Sequence, residues 1–518
     1  MLRSGRAGQG VAGASCMKLR HLVAAWLLVG AAGAAAQGQT LRVAINNDPD
    51  ILDPTLSRTF VGTAVMTALC DKLFDFDGAL TIVPRLAASF EWADPVTLIL
   101  HLRPGVTFHD GTSLDAAAVK FNLDRHAGLP GSFRRAELGA MDRVEVVDPL
   151  TVRVVLKQPS SPFVATLTDR SGMMVSPTAA VAAGVEFGLH PVCSGPFRFV
   201  ERVAQDHITL ERFPGYWDAG SVHFDRVVYR PMTDSAVRLA NLQAGAVDLA
   251  DIVPSDVDAV QADRKLQLLS SGGLGYAGIT FNVGHGPRAA QPVGQDARVR
   301  QAFALSLDRD VIVQVVFNGQ YAPNAQAVSP GSPLFVPEAG PPVRDVARAK
   351  ALLHEAGLTP PVPVPLTVPN SPQSLQVAEI VQSMARDGGF DVQVTAMDFG
   401  TSLATTLAGD YVAYLNGWSG LLDADSNTWS FLHTGGALNI SGYSNARVDA
   451  ALDQARTVTD TAARRALYGQ VWQQQAADLP ILYLYTPRYI MGARKQVQGY
   501  RVLPDGLIRL QGVSLAAP

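Results

Sequence analysis

The residues best suited to chemistry lie in one short segment near the end of the chain. Residues 416–427 contain Trp418, Ser419, Asp423 and Asp425. An indole offers a flat apolar face and one N–H donor, and carboxylates offer hydrogen-bond acceptors. These groups suit the binding of a small polar solute. The alternative for Trp418 is a core position beneath the loop, and the sequence leaves both interpretations open.

Catalytic chemistry is poorly represented. His109 and Asp110 stand side by side without a serine or cysteine nucleophile, and Asp110-Gly111 is typical of a turn between a strand and a helix. The motifs G-x-S-x-G, G-x-x-x-x-G-K-[ST] and H-E-x-x-H are missing, and the ten histidines are scattered. We therefore predict a protein that is not an enzyme, with no catalytic residue, cofactor or metal site. A glycosidase, which needs only two carboxylates, stays open as the alternative.

Two further polar residues follow the first strand. Residues 41–45 are apolar enough for a strand, and Asn47 and Asp48 come directly after it. A loop at the end of an opening strand is a common position for ligand contacts in α/β sheets. A simple turn rich in Asn, Asp and Pro is the alternative.

The elements that position these residues can be predicted from hydrophobic spacing. Residues 235–244 have the spacing of a helix, and Gly245 is a suitable stop. Residues 366–368, 374–386 and 392–396 alternate as strand, helix and strand, which favours a parallel sheet. A predicted strand at 411–415 directly precedes the segment 416–427. Apolar residues also occupy every second position in three short runs typical of half-buried strands: Phe197 and Phe199, Ile208 and Leu210, Val227 and Tyr229.

Composition limits the classes of partner. The formal charge of −4 and the pI near 6.2 give no indication of nucleic-acid binding. A mature chain of roughly 480 residues is too long for one ordinary core, so two or three lobes are expected. Cys70 and Cys193 are the only thiols outside the first 36 residues. They could form one disulfide or remain two buried thiols.

The first 36 residues have the features of a secretory signal peptide. Arg3, Arg6, Lys18 and Arg20 precede an apolar run at 22–36 that ends in three alanines before Gln37. Cys16 lies before that run rather than after it, so a lipid anchor is not expected. Met17 is an alternative start. We predict an exported, periplasmic protein without a lipid anchor.

Several motifs occur together in a characteristic order. The chain has F-H-D-G at 108–111, G-P-F at 195–197, L-E-R-F-P-G-Y-W at 210–217 and L-Q-A-G-A-V-D at 242–248. With the helix pair near Arg300 and Arg309 and the Gly417-Trp418 segment, these motifs resemble the solute-binding proteins of ABC importers, family 5, the peptide, nickel and oligopeptide cluster. The resemblance covers nearly all of the chain after residue 36.

This resemblance implies a fold, a function and a set of partners. The fold class is α/β, a two-lobed periplasmic-binding-protein fold of type II in its large cluster C form, with an extra subdomain inserted in lobe I. The implied function is to bind a peptide or peptide-like solute between lobes that close on it. The partners would be an inner-membrane permease and its ATPase, and the protein is expected to be a monomer. The expected segments are a signal peptide at 1–36, lobe I at 37–75 and 190–285, the inserted subdomain at 76–189, lobe II at 286–486 and a return to lobe I at 487–518.

The resemblance also indicates ligand residues, with departures. In peptide-binding relatives the Asp of G-W-x-x-D holds the ligand amine, but Leu421 occupies that position here, and Asp423 and Asp425 are displaced by two and four residues. In dipeptide-binding relatives an arginine in the preceding helix meets the ligand carboxylate, and residues 371–379 contain none. A modified peptide, an opine, an oligosaccharide or a nickel chelate therefore stays open. The predicted ligand set is Trp418, Ser419, Asp423, Asp425, Tyr276, Asn47, Asp48 and Tyr443.

Overall fold

The computed structural model describes residues 39–516. The predicted signal peptide, with Cys16 and Met17, lies outside the described residues. The strands in chain order are β1 (Thr40–Ile45), β2 (Phe74–Phe76), β3 (Ile82–Pro84), β4 (Ala87–Asp94), β5 (Thr97–Leu102), β6 (Met141–Asp148), β7 (Thr151–Leu156), β8 (Phe197–Val203), β9 (His207–Arg212), β10 (Arg226–Pro231), β11 (Leu249–Asp251), β12 (Leu266–Gly272), β13 (Tyr276–Phe281), β14 (Ala322–Pro323), β15 (Val362–Pro369), β16 (Phe390–Met397), β17 (Ala413–Trp418), β18 (Ile481–Thr486), β19 (Arg488–Arg494), β20 (Val497–Gln498) and β21 (Ser514–Leu515).

The α-helices alternate with these strands over most of the chain. They are α1 (Phe60–Leu69), α2 (Ala116–Gly128), α3 (Phe163–Thr166), α4 (Pro177–Ala183), α5 (Ser235–Ala244), α6 (Val257–Ala262), α7 (Pro292–Gln295), α8 (Ala297–Leu305), α9 (Arg309–Phe317), α10 (Val346–Glu355), α11 (Pro372–Asp387), α12 (Phe399–Leu407), α13 (Ala424–Leu432), α14 (Ala446–Thr457) and α15 (Thr461–Asp478). Within residues 39–516, none of the helices combines the length and the apolar character needed to cross a bilayer.

Two large mixed sheets form the centres of the two lobes. The first lobe is built on a seven-stranded sheet in the order β12-β19-β11-β1-β10-β9-β8, in which β1 is parallel to β10 and β11. The second lobe is built on a six-stranded sheet in the order β14-β18-β13-β17-β15-β16. The parallel pairing of β15 with β16 confirms the strand–helix–strand prediction for this region. The period-two strands β8, β9 and β10 are confirmed as well.

Helix α5 ends where its sequence predicts. Asp234 caps its N-terminus by accepting from the main-chain N–H of Val237 at 2.9 Å. Gly245 closes the other end in the left-handed conformation, with φ of +73°. The helix therefore spans the ten residues given by its hydrophobic spacing.

A smaller antiparallel sheet has the order β4-β5-β7-β6. Its strands come between β1 and β8 in the sequence, and both of those strands belong to the sheet of the first lobe. Its inner face alternates with the strand period, and Leu98, Leu100, Val152 and Val154 are fully buried. Helix α2 packs on this sheet. The sheet and α2 have a core of their own, distinct from that of the seven-stranded sheet.

The chain crosses between the two large sheets through two adjacent segments. One joins β12 to β13 at residues 272–276, and the other joins β18 to β19 at residues 486–488; the N–H of Gly273 donates to the carbonyl of Pro487 at 2.8 Å. Strand β13 pairs with β17 and β18, so it belongs to the second lobe. This corrects the predicted end of the first lobe at residue 285, because the stretch before it pairs with second-lobe strands rather than with β12.

Cys70 and Cys193 form a disulfide, with their Cα atoms 4.8 Å apart. Both sulfurs are buried in the core of the first lobe. The bond ties the end of α1 to the segment before β8. It therefore closes the loop that contains the four-stranded sheet, and it decides between the two alternatives left open by the sequence.

Candidate functional site

A cleft between the two lobes encloses about 760 Å³ of space, including the part open to solvent. The second-lobe wall is the segment from Trp418 to Ser426, and the first-lobe walls come from several separate parts of the chain. The residues that line the cleft are Arg58, Phe60, Thr63, Phe76, Glu137, Ala165, Thr166, Thr168, Asp169, Arg170, Leu274, Trp418, Ser419, Gly420, Leu421, Leu422, Asp423, Ser426, Asp505 and Leu507.

Trp418 stands at the end of β17, half-buried in the cleft wall. Its indole N–H donates to the Asn427 Oδ1 at 2.9 Å, and its ring packs edge-on against Phe431 with centroids 5.2 Å apart. The single donor of the indole is therefore used inside the protein. What remains for a solute is the exposed part of an apolar ring whose orientation is fixed.

Asn427 organises the loop that follows Trp418. Its side-chain oxygen accepts from the indole N–H and also from the main-chain N–H of Leu421 at 2.8 Å. Its side-chain NH2 group donates to the carbonyl of Leu421 at 2.9 Å. The sequence prediction did not assign Asn427 a role. The sequence did contain a signal for this role, because Asn427 is an amide residue within the Trp418 segment. A buried amide side chain needs hydrogen-bond partners.

Two glycines let this loop pack against the crossing segment that leads into β13. Gly420 has φ of +83°, and a Cβ there would lie 2.3 Å from the Gly275 nitrogen. A Cβ on Gly275 would lie 1.7 Å from the Trp418 carbonyl oxygen. Only glycine fits either position. The cleft wall is thereby in backbone contact with the segment at residues 272–276 that crosses between the two large sheets.

The two predicted ligand acids are both engaged by arginines. Asp423 caps the N-terminus of α13 and forms a two-pronged ion pair with Arg464, at 2.7 and 2.8 Å. Asp425 forms a similar pair with Arg456, at 2.8 and 2.9 Å, and is almost fully buried. Burial raises the pKa of the Asp425 carboxyl, and the Arg456 guanidinium opposes that change. Asp423 lines the cleft, whereas Asp425 lies behind the wall, so the expected amine contact has no free acid on this side.

The remaining predicted residues, apart from Ser419, do not form the cleft wall. Tyr276 is buried against Tyr483, with ring centroids 4.7 Å apart. The Tyr443 hydroxyl donates to Asp478 at 2.5 Å. Asp48 pairs with Arg202 at 3.1 Å, beside the edge of the seven-stranded sheet.

Asn47 is exposed next to Asp48 and accepts the N–H of that residue at 3.0 Å. The loop after β1 thus contacts the β8–β9 hairpin and does not reach the cleft. Ser419 is exposed in the cleft wall, where its carbonyl accepts from the Tyr489 hydroxyl at 3.4 Å.

The first-lobe wall is shaped by the segment before α1. Asp50 accepts from the Ser57 hydroxyl at 2.9 Å, from the Arg58 main-chain N–H at 2.8 Å and from the Thr59 hydroxyl at 2.6 Å. Partial burial alone would raise the pKa of Asp50, but these hydrogen bonds leave it below the ordinary value. They hold Arg58 and the first turn of α1 at the cleft. The sequence did not predict a role for Arg58 or for the first turn of α1, since the segment before α1 is an irregular loop without periodic spacing.

The His109-Asp110 pair has a structural role. The His109 Nε2–H donates to the carbonyl of Gly195 at 3.0 Å, and its Nδ1 accepts the N–H of Cys193 at 3.3 Å. Asp110 accepts from the hydroxyl of Ser176 at 2.6 Å. The His109 ring and the Asp110 carboxylate are therefore both engaged within the protein. Across residues 39–516, no group of three or more His, Cys, Asp or Glu side chains is arranged to hold a metal ion.

Two lobes joined by adjacent crossings, with a cleft lined from both, define a two-lobed solute-binding protein. The family model for bacterial extracellular solute-binding proteins, family 5, middle region, matches residues 81–439. The chain belongs to this family. It is the solute-binding component of an ABC importer and not an enzyme.

Named relatives are similar over almost the whole chain. The glutathione-binding protein GsiB of Pectobacterium atrosepticum is 33% identical over 488 residues, which cover 91% of this chain and 93% of the relative. GsiB of Escherichia coli O157:H7 is 30% identical over 496 residues, covering 92% and 94%.

Solved structures show the same two-lobed fold. The binding protein AgaA of A. tumefaciens R10, in complex with agropinic acid, is 26% identical with a TM-score of 0.81, over 92% of this chain and 99% of that one. DppA of Helicobacter pylori, in complex with the peptide STSA, is 23% identical with a TM-score of 0.82, over 93% and 98%.

Proposed function

We propose that this protein binds glutathione or a closely related small peptide in the cleft and delivers it to a membrane permease. The observation that carries the proposal is a cleft lined from both lobes in a chain that is 33% identical to a glutathione-binding protein over nine-tenths of its length. The Trp418 ring would supply the apolar contact, and Ser419 a polar contact at the rim.

Closure of the lobes would provide affinity. A solute that touches both walls makes its full set of contacts only when the lobes are closed, so it shifts the protein toward that state. The paired crossings at 272–276 and 486–488 are the natural hinge. A micromolar affinity corresponds to about −8 kcal/mol. The closed form would then be the one that the permease and its ATPase recognise.

We further propose that the protein is exported to the periplasm, is cleaved near Gln37, carries no lipid and acts as a monomer. Mass spectrometry of the exported form would show an N-terminus at or near Gln37 in this case. An acylated cysteine at the N-terminus would contradict it.

A second candidate ligand is an opine. The similarity to AgaA, whose structure contains agropinic acid, favours this class over oligosaccharides and nickel chelates. Opines share with glutathione the carboxylates and amide-like polarity of an amino-acid conjugate. The two candidates therefore differ in shape more than in charge.

A thermal-shift screen separates the candidates. A solute that binds only the folded state raises the melting temperature, by an amount equivalent to about 2.7 kcal/mol at a hundredfold excess over Kd. The panel should contain reduced and oxidised glutathione, dipeptides, agropinic acid, an oligosaccharide and a nickel–histidine complex. We expect reduced glutathione to give the largest shift. A shift with the oligosaccharide alone, or turnover of any solute seen by chromatography, would refute the proposal.

A further inference from the structure

The acids that line the cleft are all neutralised by arginines. Each of these carboxylates has a guanidinium at ion-pair distance. The pairs are Glu137 with Arg134 at 2.6 Å, Asp169 with Arg170 at 3.5 Å, Asp423 with Arg464 at 2.7 Å and Asp505 with Arg509 at 2.7 Å. The cleft wall contains more acids than arginines, but each of these acids is paired with an arginine. The cleft is therefore not an acidic site.

Arg58 is the exception among the charged residues of the wall. Within residues 39–516 its guanidinium makes no ion pair, and its side chain is exposed in the cleft. Its Cζ atom lies 4.5 Å from the ring centroid of Phe133. A guanidinium that rests on an aromatic ring keeps N–H groups free for a planar, two-pronged acceptor.

The surroundings of Arg58 add to the positive field. The carbonyl of Ser57, the preceding residue, accepts from Arg170 at 3.2 Å and from Arg134 at 3.4 Å. Arg134 and Arg170 therefore lie against the main chain next to Arg58. Glu137 and Asp169 pair with Arg134 and Arg170, and the Asp50 carboxylate accepts the main-chain N–H of Arg58, so within residues 39–516 the Arg58 guanidinium itself is left without an ion-pair partner.

The opposite wall offers no matching acid for an amine. Asp423 is held by both terminal nitrogens of Arg464, and Asp425 is buried behind it. A cationic solute would have to break one of these ion pairs, whereas an anionic solute would meet a free guanidinium. The charge distribution favours the latter.

We propose that Arg58 binds a carboxylate of the solute and makes the cleft selective for solutes that carry an uncompensated carboxylate. This assignment rests on the proposed binding function of the same cleft. A charge-assisted, two-pronged contact gives both strength and orientation. Arg58 is then the residue that decides which end of a peptide-like solute faces the first lobe.

The test is isothermal titration of wild type and Arg58→Gln with three solutes. They are glutathione, its glycine amide, and an analogue in which 4-aminobutyryl replaces the γ-glutamyl group and so removes that carboxylate. Loss of a hydrogen bond to a charged group weakens binding by about tenfold to hundredfold. We expect that loss for glutathione. For one of the two analogues, the one without the carboxylate that meets Arg58, wild type and variant should bind equally.

Two controls accompany the titration. Arg264→Gln removes another exposed arginine outside the cleft and should bind all three solutes normally. Because the Arg58 side chain is exposed, the melting temperature of Arg58→Gln should equal that of wild type. Should it fall, Arg58→Lys keeps the charge without the planar fork and is expected to bind with intermediate affinity.

The contradicting outcomes are separable. Wild-type affinity for glutathione in Arg58→Gln would overturn the assignment and leave the binding function standing. Binding of the oligosaccharide alone by wild type would overturn both the assignment and the proposed function. Failure of wild type to bind any solute of the set or of the thermal-shift panel would overturn both proposals.

Discussion

At the scale of single residues, Trp418 is the central contact of the proposed site. Its N–H is committed to Asn427, so its contribution to a solute is the apolar ring face. Trp418→Ala should weaken solute binding by at least about 2 kcal/mol, which is roughly thirtyfold. Titration calorimetry on the folded protein measures this directly.

The matched control for Trp418 is Trp429→Ala. Trp429 is also half-buried and also has its N–H bound to a side chain, that of Asp453 at 2.9 Å, but it does not line the cleft. We expect near-normal affinity in this variant. If Trp418→Ala lowers only the melting temperature and leaves affinity unchanged, Trp418 is a core residue and the site assignment is wrong.

The two aspartates after Trp418 should behave as structural residues. Asp425→Asn removes the buried carboxylate that pairs with the partly buried Arg456 guanidinium, and we expect it to lower the free energy of unfolding by about 1–3 kcal/mol. Asp423→Asn keeps the helix cap, because asparagine caps as well as aspartate, but it removes the charge that pairs with Arg464 and should also lower the melting temperature.

A surface pair serves as the control for these acids. Asp410 pairs with Arg288 at 2.8 Å, and both side chains are exposed, so Asp410→Asn should cost no more than about 1 kcal/mol. Folded Asp425→Asn should bind solute normally. An unchanged melting temperature together with lost binding in Asp425→Asn would show instead that this acid meets the ligand.

At the scale of elements, the buried His126 and the half-buried His109 join the first lobe to the four-stranded sheet and make folding sensitive to acid. His126 on α2 contacts the Thr55 hydroxyl at 2.9 Å and the Met173 carbonyl at 3.1 Å. Burial lowers the pKa of both His109 and His126 to about 4. In the unfolded chain their pKa is about 6.5, so the unfolded state binds more protons between these values.

Stability from these histidines is therefore complete above about pH 6.5 and is lost as pH falls toward 4, by up to about 3 kcal/mol for each residue. Thermal melts from pH 7 to pH 4 check this. His126→Gln should be less stable than wild type at pH 7, and the difference should shrink in acid. The exposed His101→Gln is the control, and an equal shrinkage there would contradict the assignment to His126.

Local spacing was sufficient to predict most elements near the site. The strand period in β8 to β10 and the helical period of α5 were visible because one face of each element is buried. The position of the Trp418 segment at the end of a strand was predicted too. Strand β17 begins and ends a few residues later than expected, at Ala413 and Trp418, since Asn416 and Gly417 extend the pairing with β13.

Pairings between distant elements could not be predicted in the same way. Asp423 and Asp425 looked free because their partners, Arg464 and Arg456, lie on α15 and α14, 41 and 31 residues away. Arg58 was overlooked for the opposite reason. Its neighbours carry no periodic signal, and only the folded arrangement shows that it lacks an acid.

At the scale of the whole molecule, Ser161 of the first lobe contacts α14 of the second lobe. The N–H of Ser161 donates to the Arg456 carbonyl at 2.7 Å, and the Ser161 hydroxyl donates to the Ala455 carbonyl at 3.2 Å. These carbonyls belong to the last turn of α14, where helical partners are lacking. We expect this contact to stabilise the arrangement in which the two lobes lie closed on a solute.

Ser161→Ala should therefore speed solute release. Removal of one hydrogen bond of about 0.5–1.5 kcal/mol predicts a dissociation rate roughly twofold to tenfold higher. Stopped-flow displacement of bound solute measures this rate. Ser255→Ala, which alters an exposed hydroxyl outside the cleft, should release solute at the wild-type rate, and equal rates for both variants and wild type would show that the Ser161 contact plays no part in closure.

The central claim is that one peptide-like solute binds between the Trp418 loop and the Arg58 wall. Its most direct test is calorimetric titration of the purified protein with glutathione. We predict a single site per chain with a Kd at or below about 1 μM, equivalent to −8.2 kcal/mol or stronger, and weaker binding in both Trp418→Ala and Arg58→Gln. Saturable binding that neither substitution alters would place the solute elsewhere, and no heat with glutathione or any other solute of the panel would contradict the claim itself.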